Sequence, residues 1–234
     1  MKDAKRSKAR ERREKRDEAE APAAALPPSP YFGLPLPRVD TGDLTGTLVA
    51  IEGADGSGRS TQIALLTEWL ESNGYPVRTM GLRRSELLAQ DIDDLLANNT
   101  VTRQTLALMY AADFYDQLER TIIPALRAGL VVLADRYIFT LIARSAVRGL
   151  DRKYLRALYE LALRPQLTFW LSIRPETAFS REFKKAQVIS YWEAGRDMNL
   201  STHLYESFTR YQNLLNKEFE YLGERFGFIR VDGE

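Results

Sequence analysis

Residues 48–62, LVAIEGADGSGRSTQ, join an apolar run to a helical run through a turn rich in glycine. Few folds accept that combination. Residues 47–51 are β-branched and apolar enough for a buried strand, and Ile63, Leu66 and Leu70 recur at helical spacing after the turn. Glycines at such a junction let backbone N–H groups and the positive end of a helix face one anion. Gly53, Gly58, Arg59 and Ser60 keep the spacing G-x-x-x-x-G-K-[ST], with an arginine at the lysine position. The stretch therefore reads as a phosphate-binding loop made of Gly53, Ala54, Asp55, Gly56, Ser57, Gly58, Arg59, Ser60 and Thr61, with Ser60 as a ligand for Mg2+. A glycine-rich strand-to-helix turn that holds no ligand is the plainer alternative.

Composition narrows the setting. At 234 residues and 44% hydrophobic content, one sizeable α/β domain with an ordinary core is expected. The absence of cysteine excludes disulfides, thiolate metal sites and a cysteine nucleophile, and suits a reducing cytoplasm. His203 stands alone and reads as an ordinary surface or partly packed residue. No apolar run approaches the roughly 18 residues of a membrane span, and the N-terminus lacks the apolar core of a secretion signal, so the expected location is cytoplasmic.

Residues 1–20 hold nine Lys/Arg against six Asp/Glu, whereas the remainder holds 24 against 26. Pro22, Pro27, Pro28, Pro30, Pro35 and Pro37 then oppose regular structure, so residues 1–40 are expected to be a disordered charged tail and linker, with the domain at 41–234. The basic run at 5–16 is diluted by Glu11 and Glu14 and has no interleaved aromatics, so no specific nucleic-acid partner is expected.

Further strands are expected at 75–80, 130–134, 167–173 and 226–231. Helices are expected from Thr61 to Asn73-Gly74, from Ser85 to about Asn98, from Thr102 onward with a kink at Pro124, from Pro175, and from Ser201 to about Leu222. Strands separated by helices argue for a parallel five-stranded sheet covered on both faces, with ligands at the C-terminal strand ends. Asp135, Arg136 and Tyr137 follow one such strand, which brings a carboxylate toward the loop.

The loop, Arg84-Ser85, Tyr110-Ala-Ala-Asp113 and Asp135-Arg136-Tyr137, in this order and at fitting intervals over residues 45–232, resemble the thymidylate kinase family. The resemblance implies an α/β, three-layer P-loop kinase fold and transfer of the ATP γ-phosphoryl group to a nucleoside monophosphate with Mg2+. It assigns Gly53, Gly58, Arg59 and Ser60 to the donor phosphates, and Asp55 to the sugar and phosphate of the acceptor. Arg84 and Arg136 fall on the acceptor phosphate, Asp135 beside the metal and phosphates, and Tyr110 on the base. Two guanidinium forks suit phosphate oxygens, which they bind bidentately.

Three departures from the family pattern alter these expectations. Arg59 keeps the charge of the family's lysine but changes its reach. Phe114 stands where the family carries a base-reading arginine, so an aromatic pair of Tyr110 and Phe114 is expected to line the acceptor pocket and relax base preference. Gly56 stands where some members have a catalytic arginine, so a lid is expected to supply the cation from Arg181, Lys184, Lys185 or Arg196; a basic helix face is the alternative. The expected partners are ATP and a nucleoside monophosphate, with a homodimer left open. A non-catalytic nucleotide-binding regulator is the second reading, and a polyanion-binding adaptor acting through its tail the third.

Overall fold

The computed structural model describes residues 30–99, 101–186 and 188–234, so residues 1–29 of the tail and linker expected at 1–40 lie outside them. Five parallel strands, β1 (Thr47–Gly53), β2 (Val77–Gly81), β3 (Val131–Asp135), β4 (Leu167–Ser172) and β5 (Ile229–Asp232), stand in the order β2-β3-β1-β4-β5. Successive side chains of a strand point to opposite faces, and in β1 both sets are buried, and apolar from Leu48 to Ile51. Such a strand needs helices on both sides.

On one face Leu48, Ala50, Val132 and Ala134 share a core with Leu106 and Phe114 of α3 (Arg103–Gln117), Ile138 and Ile142 of α5 (Ile138–Val147), and Tyr211 and Phe219 of α8 (Leu204–Phe226). On the other, Val49, Ile51, Leu133 and Leu171 meet Ile63, Leu66 and Leu70 of α1 (Arg59–Ser72). The remaining helices are α2 (Ala89–Asn98), α4 (Ile123–Arg127), α6 (Arg152–Leu158) and α7 (Pro175–Ala186). The three-layer α/β fold is the one that alternating strands and helices require. Among the described residues no helix is long and apolar enough to cross a membrane.

Several boundaries differ from the expected ones for local reasons. Ser85 does cap a turn, accepting from the Leu88 N–H at 3.0 Å, but regular helix begins only at Ala89. The bend before Pro124 is a wide π-type turn, Leu118–Ile122, and Pro124 sits in the first turn of α4, where its missing N–H matters least. Ser201 precedes α8 rather than opening it, and its hydroxyl donates to Glu206 at 2.6 Å. At the far end α8 runs on to Phe226, so β5 starts three residues later than expected.

Residues 30–40 depart most from the expected linker. Phe32 and Gly33 donate N–H bonds of 2.7 Å to the carbonyls of Ala162 and Glu160, and the Arg164 N–H returns one of 2.8 Å to Pro30. Tyr31 and Leu36 are buried in the main core, and the Phe32 ring lies 4.8 Å from that of Phe226. Prolines prevent a helix here, yet an extended strap needs only apolar side chains and a few backbone partners.

A chain starting at residue 41 should therefore melt well below one starting at residue 30. Replacing a large buried side chain by alanine costs about 3 kcal/mol, so Tyr31→Ala alone should reproduce much of the loss. Thermal unfolding of the three forms checks this, and equal midpoints would show that the strap adds nothing.

Candidate active site

Parallel register brings the site to one edge. Ile51 of β1 and Gly81 of β2 both pair with Asp135 of β3, so the loop after β1, the turn after β2 and the Asp135-Arg136 corner end level. Gly58 adopts φ +89° and precedes α1 with no side-chain cap, which leaves first-turn N–H groups free to face an anion. Gly56 adopts φ +77°, and a Cβ there would lie 2.7 Å from the Ala178 carbonyl of α7. Only glycine lets α7 close on the loop.

Asp55 lies between the buried guanidinium of Arg136 and the partly buried one of Arg144. Arg136 Nη2 donates to its Oδ1, and Arg144 Nη2 donates to its Oδ2 at 2.8 Å. Burial alone would raise the Asp55 pKa, but the charges of Arg136, Arg144 and Arg59 outweigh burial and hold it well below the usual carboxylate range. Arg136 is pushed down to about 10 by burial and by Arg59, with Asp55 pulling the other way, and so stays protonated at neutral pH. For Arg144 burial is outweighed by Asp55 and the neighbouring tyrosines, and its pKa is raised.

Arg136 also holds a left-handed backbone, φ +70°, a strained state for a side-chain-bearing residue. Its N–H donates to the Ile51 carbonyl at 3.1 Å and its Nη1 to the Gly53 carbonyl at 2.8 Å. Behind it Glu52, fully buried, accepts from the N–H groups of Tyr137 (3.0 Å) and Thr140 (3.4 Å) and from the Thr140 hydroxyl. This carboxylate caps α5 where no local side chain does. Burial raises its pKa, against the pull of those hydrogen bonds.

The second convergence surrounds Asp135. Arg59 is folded back on the loop: Nη1 donates to the carbonyls of Gly53 (2.7 Å) and Ala54 and to Ser57 Oγ (3.2 Å), and Nε donates to Asp135 Oδ1 at 3.1 Å. Ser60 Oγ lies 3.4 Å from Asp135 Oδ2 and Arg84 Nη2 lies 3.8 Å from it. Ser60, Arg84 and Asp135 line a cleft of about 540 Å³. Asp113, buried, positions Arg84 from beneath by accepting from the N–H groups of Arg83 and Ser85, each at 3.0 Å.

Other expected residues are spread more widely. Thr61 and Arg181 lie on the outer side of the loop, lining a cleft of about 900 Å³ with Ser57 and Gly58. Arg181 donates there to the Gly233 carbonyl at 2.7 Å. Arg196 instead donates to the Thr202 carbonyl at 3.0 Å, and Lys184 and Lys185 are exposed on α7. Tyr110 lines an inner cavity beside Arg144, and burial raises its hydroxyl pKa.

Phe114 does not join Tyr110 there. Its ring packs edge-on against Tyr137 at 5.2 Å and Tyr159 at 5.8 Å, inside the core. Four residues advance a helix about 40° beyond one full turn, enough to carry this side chain beneath the cavity. The expected aromatic pair is thus corrected to Tyr110 alone. Residues not anticipated are Arg144 and Glu52; an acid inside an otherwise apolar strand was the available signal for Glu52, and Arg144 had none.

A glycine loop between a central parallel strand and a helix, in a sheet ordered 2-3-1-4-5, defines a P-loop kinase fold. The family model described as Thymidylate kinase matches residues 51–229. The chain is 37% identical over 191 residues to probable thymidylate kinase 2 of Saccharolobus solfataricus, spanning 81% of this chain and 89% of that protein. It is 36% identical to the thymidylate kinase of Synechococcus sp. strain JA-3-3Ab, over 57% of this chain and 68% of the other. The match to the thymidylate kinase of Clavibacter sepedonicus is 38%, over 56% and 64%. The chain belongs to the thymidylate kinase family and is a nucleoside monophosphate kinase.

Asp55→Asn leaves the buried Arg136 and the partly buried Arg144 without their shared counter-charge, and breaking a buried ion pair from one side costs about 3 kcal/mol. Because the folded-state pKa of Asp55 is depressed, its contribution is complete above the unfolded value of about 3.9 and is lost as pH falls through the folded value. Denaturant melts of both forms should show a constant gap above about pH 5 that narrows by about 1 kcal/mol at pH 3. A gap that stays flat down to pH 3 would contradict the assignment.

Proposed function

We propose that the chain transfers the γ-phosphoryl group of ATP to a deoxynucleoside monophosphate, dTMP being the first acceptor to test. The observation that carries this reading is the convergence of Arg59, Ser60 and Arg84 on Asp135, level with the glycine loop. Phosphoryl transfer asks for in-line positioning and neutralisation of charge far more than for covalent help from the protein. Fixed cations and a backbone cradle supply both.

In this reading the backbone of residues 53–61 wraps the donor phosphates, and Arg84 and Arg136 clamp the acceptor phosphate with bidentate forks. Ser60 Oγ and the Asp135 carboxylate offer two hard oxygen ligands 3.4 Å apart on the open side of the loop, which fits Mg2+, an ion that keeps waters and takes phosphate oxygens for the rest. An Mg2+ ion held by Ser60 and Asp135 would supply charge neutralisation at the donor phosphates. Arg59 exchanges the carbonyls of Gly53 and Ala54 for donor phosphate oxygens. Arg181, sharing the outer cleft with Gly58 and Thr61, is the assigned lid cation, whereas Arg196 would first have to leave the Thr202 carbonyl.

Coupled assays of ADP release with ATP, Mg2+ and a panel of deoxynucleoside monophosphates test the proposal. Turnover with at least one pyrimidine acceptor, abolished by EDTA, is the expected result. Asp135→Asn should lower kcat about a hundredfold or more in a chain that circular dichroism shows to be still folded at the assay temperature. ATP binding without turnover on any acceptor would contradict the catalytic reading and favour a nucleotide-binding regulator.

A further inference from the structure

The turn after β2 carries two arginines in tandem, and their side chains part company. Arg84 lines the cleft with Ser60 and Asp135, whereas Arg83 pairs with Asp93 of α2. Arg83 adopts φ +57°, a left-handed state strained for a residue with a side chain, and this reversal is what sends neighbouring side chains to different partners. A strained turn of this kind persists only where its surroundings hold it.

Two side chains of α3 do so, Asp113 and Gln117, which are 1% and 4% exposed. They stand one helical turn apart, at i and i+4, and grip the turn at both ends. Gln117 Oε1 accepts from the Gly81 N–H at 3.4 Å, where the chain leaves β2. Asp113 Oδ2 accepts from the Arg83 N–H and Oδ1 from the Ser85 N–H, each at 3.0 Å, so these two bonds flank Arg84. Gln117 Nε2 donates to Asp113 Oδ2 at 2.9 Å and ties the two grips together. Gly81 completes the arrangement. A Cβ there would lie 3.0 Å from Arg84 Nε and 3.1 Å from the Asp135 carbonyl oxygen, so the guanidinium lies across the bare strand end, on the side of Asp135.

Filling this space would take only an apolar side chain, whereas a buried carboxylate and carboxamide are costly unless their hydrogen bonds are met. Here those bonds go to the backbone on either side of Arg84. We propose that Asp113 and Gln117 are positioning residues for the acceptor phosphate: they set the direction of the Arg84 fork, so that the phosphate share of acceptor affinity passes through them and the base share and the donor do not. A guanidinium grips phosphate oxygens bidentately only in its own plane, which makes its direction matter as much as its charge. This inference rests on the reading that Arg84 clamps the phosphate of a nucleoside monophosphate.

Asp113→Asn is the sharpest probe, because a carboxylate accepts on both oxygens and a carboxamide on one. Whichever way the amide turns, the N–H of Arg83 or of Ser85 faces a second donor. Gln117→Leu removes the bond to Gly81 and leaves an apolar side chain in its place. In either variant the KM for dTMP should rise about tenfold, with the KM for ATP within about twofold of the parent value. In an Arg84→Met background Asp113→Asn should add less than about twofold, since the fork it aims is gone. Equilibrium dialysis with dTMP and with thymidine reads the same effect without turnover. The parent should hold dTMP about tenfold tighter than thymidine or more, and both variants should weaken dTMP and leave thymidine unchanged.

Equal changes in the KM for dTMP and ATP, thymidine weakened as much as dTMP, or an undiminished effect of Asp113→Asn in the Arg84→Met background overturns the inference and leaves the kinase reading intact. So does a parent that holds dTMP no tighter than thymidine, and so does failure of both variants to fold, which would make the pair a stability device. Absence of turnover with every acceptor sinks the kinase reading instead, and the dialysis then decides about Asp113 and Gln117 alone.

Discussion

One carboxylate shared by two arginines holds the site together. Asp55 belongs to the loop after β1, Arg136 to the corner after β3, and Arg144 to α5, so their contacts join three elements that the sheet alone leaves independent beyond its edge. Two guanidiniums this close repel one another, and in a buried setting the repulsion is poorly screened. Asp55 resolves it. Glu52 fixes the same corner from behind by capping α5, and the Gly53 carbonyl accepts from both Arg59 and Arg136. Around the loop the guanidiniums of Arg59, Arg84, Arg136 and Arg144 face the carboxylates of Asp55 and Asp135, leaving an excess of positive charge that suits polyanionic ligands.

Much of this was legible in the sequence where a residue type leaves the backbone little choice. Glycine at 56 and 58 meets positive φ, and the apolar runs at 47–51 and 130–134 are buried on both faces as a central parallel strand demands. Other features had no such signature. Residues 138–143 of α5 are buried in succession, so no polar stripe betrays a helix. The strap at 30–40 was hidden by prolines that exclude regular structure without excluding docking. The direction of Phe114 depended on a rotation of a few tens of degrees that spacing alone does not fix.

Arg59 shows how much of the loop's bonding one guanidinium can carry. An ammonium is a point donor, whereas the arginine fork reaches two loop carbonyls and Asp135 at once. The loop is thereby braced by its own side chain. Arg136 lies on the other side of Gly53 and depends on Asp55 for its orientation, so the geometry of the loop and of the β3 corner forms one cooperative unit.

That claim is tested most directly by a double-mutant cycle on Asp55→Asn and Arg136→Lys, read as kcat/KM for the acceptor. If the two residues act as a unit, the double variant should lose little more than the worse single variant, with a coupling energy above about 1 kcal/mol. Losses that simply multiply, additive within about 0.5 kcal/mol, would show that Arg136 is positioned without Asp55 and would contradict the account.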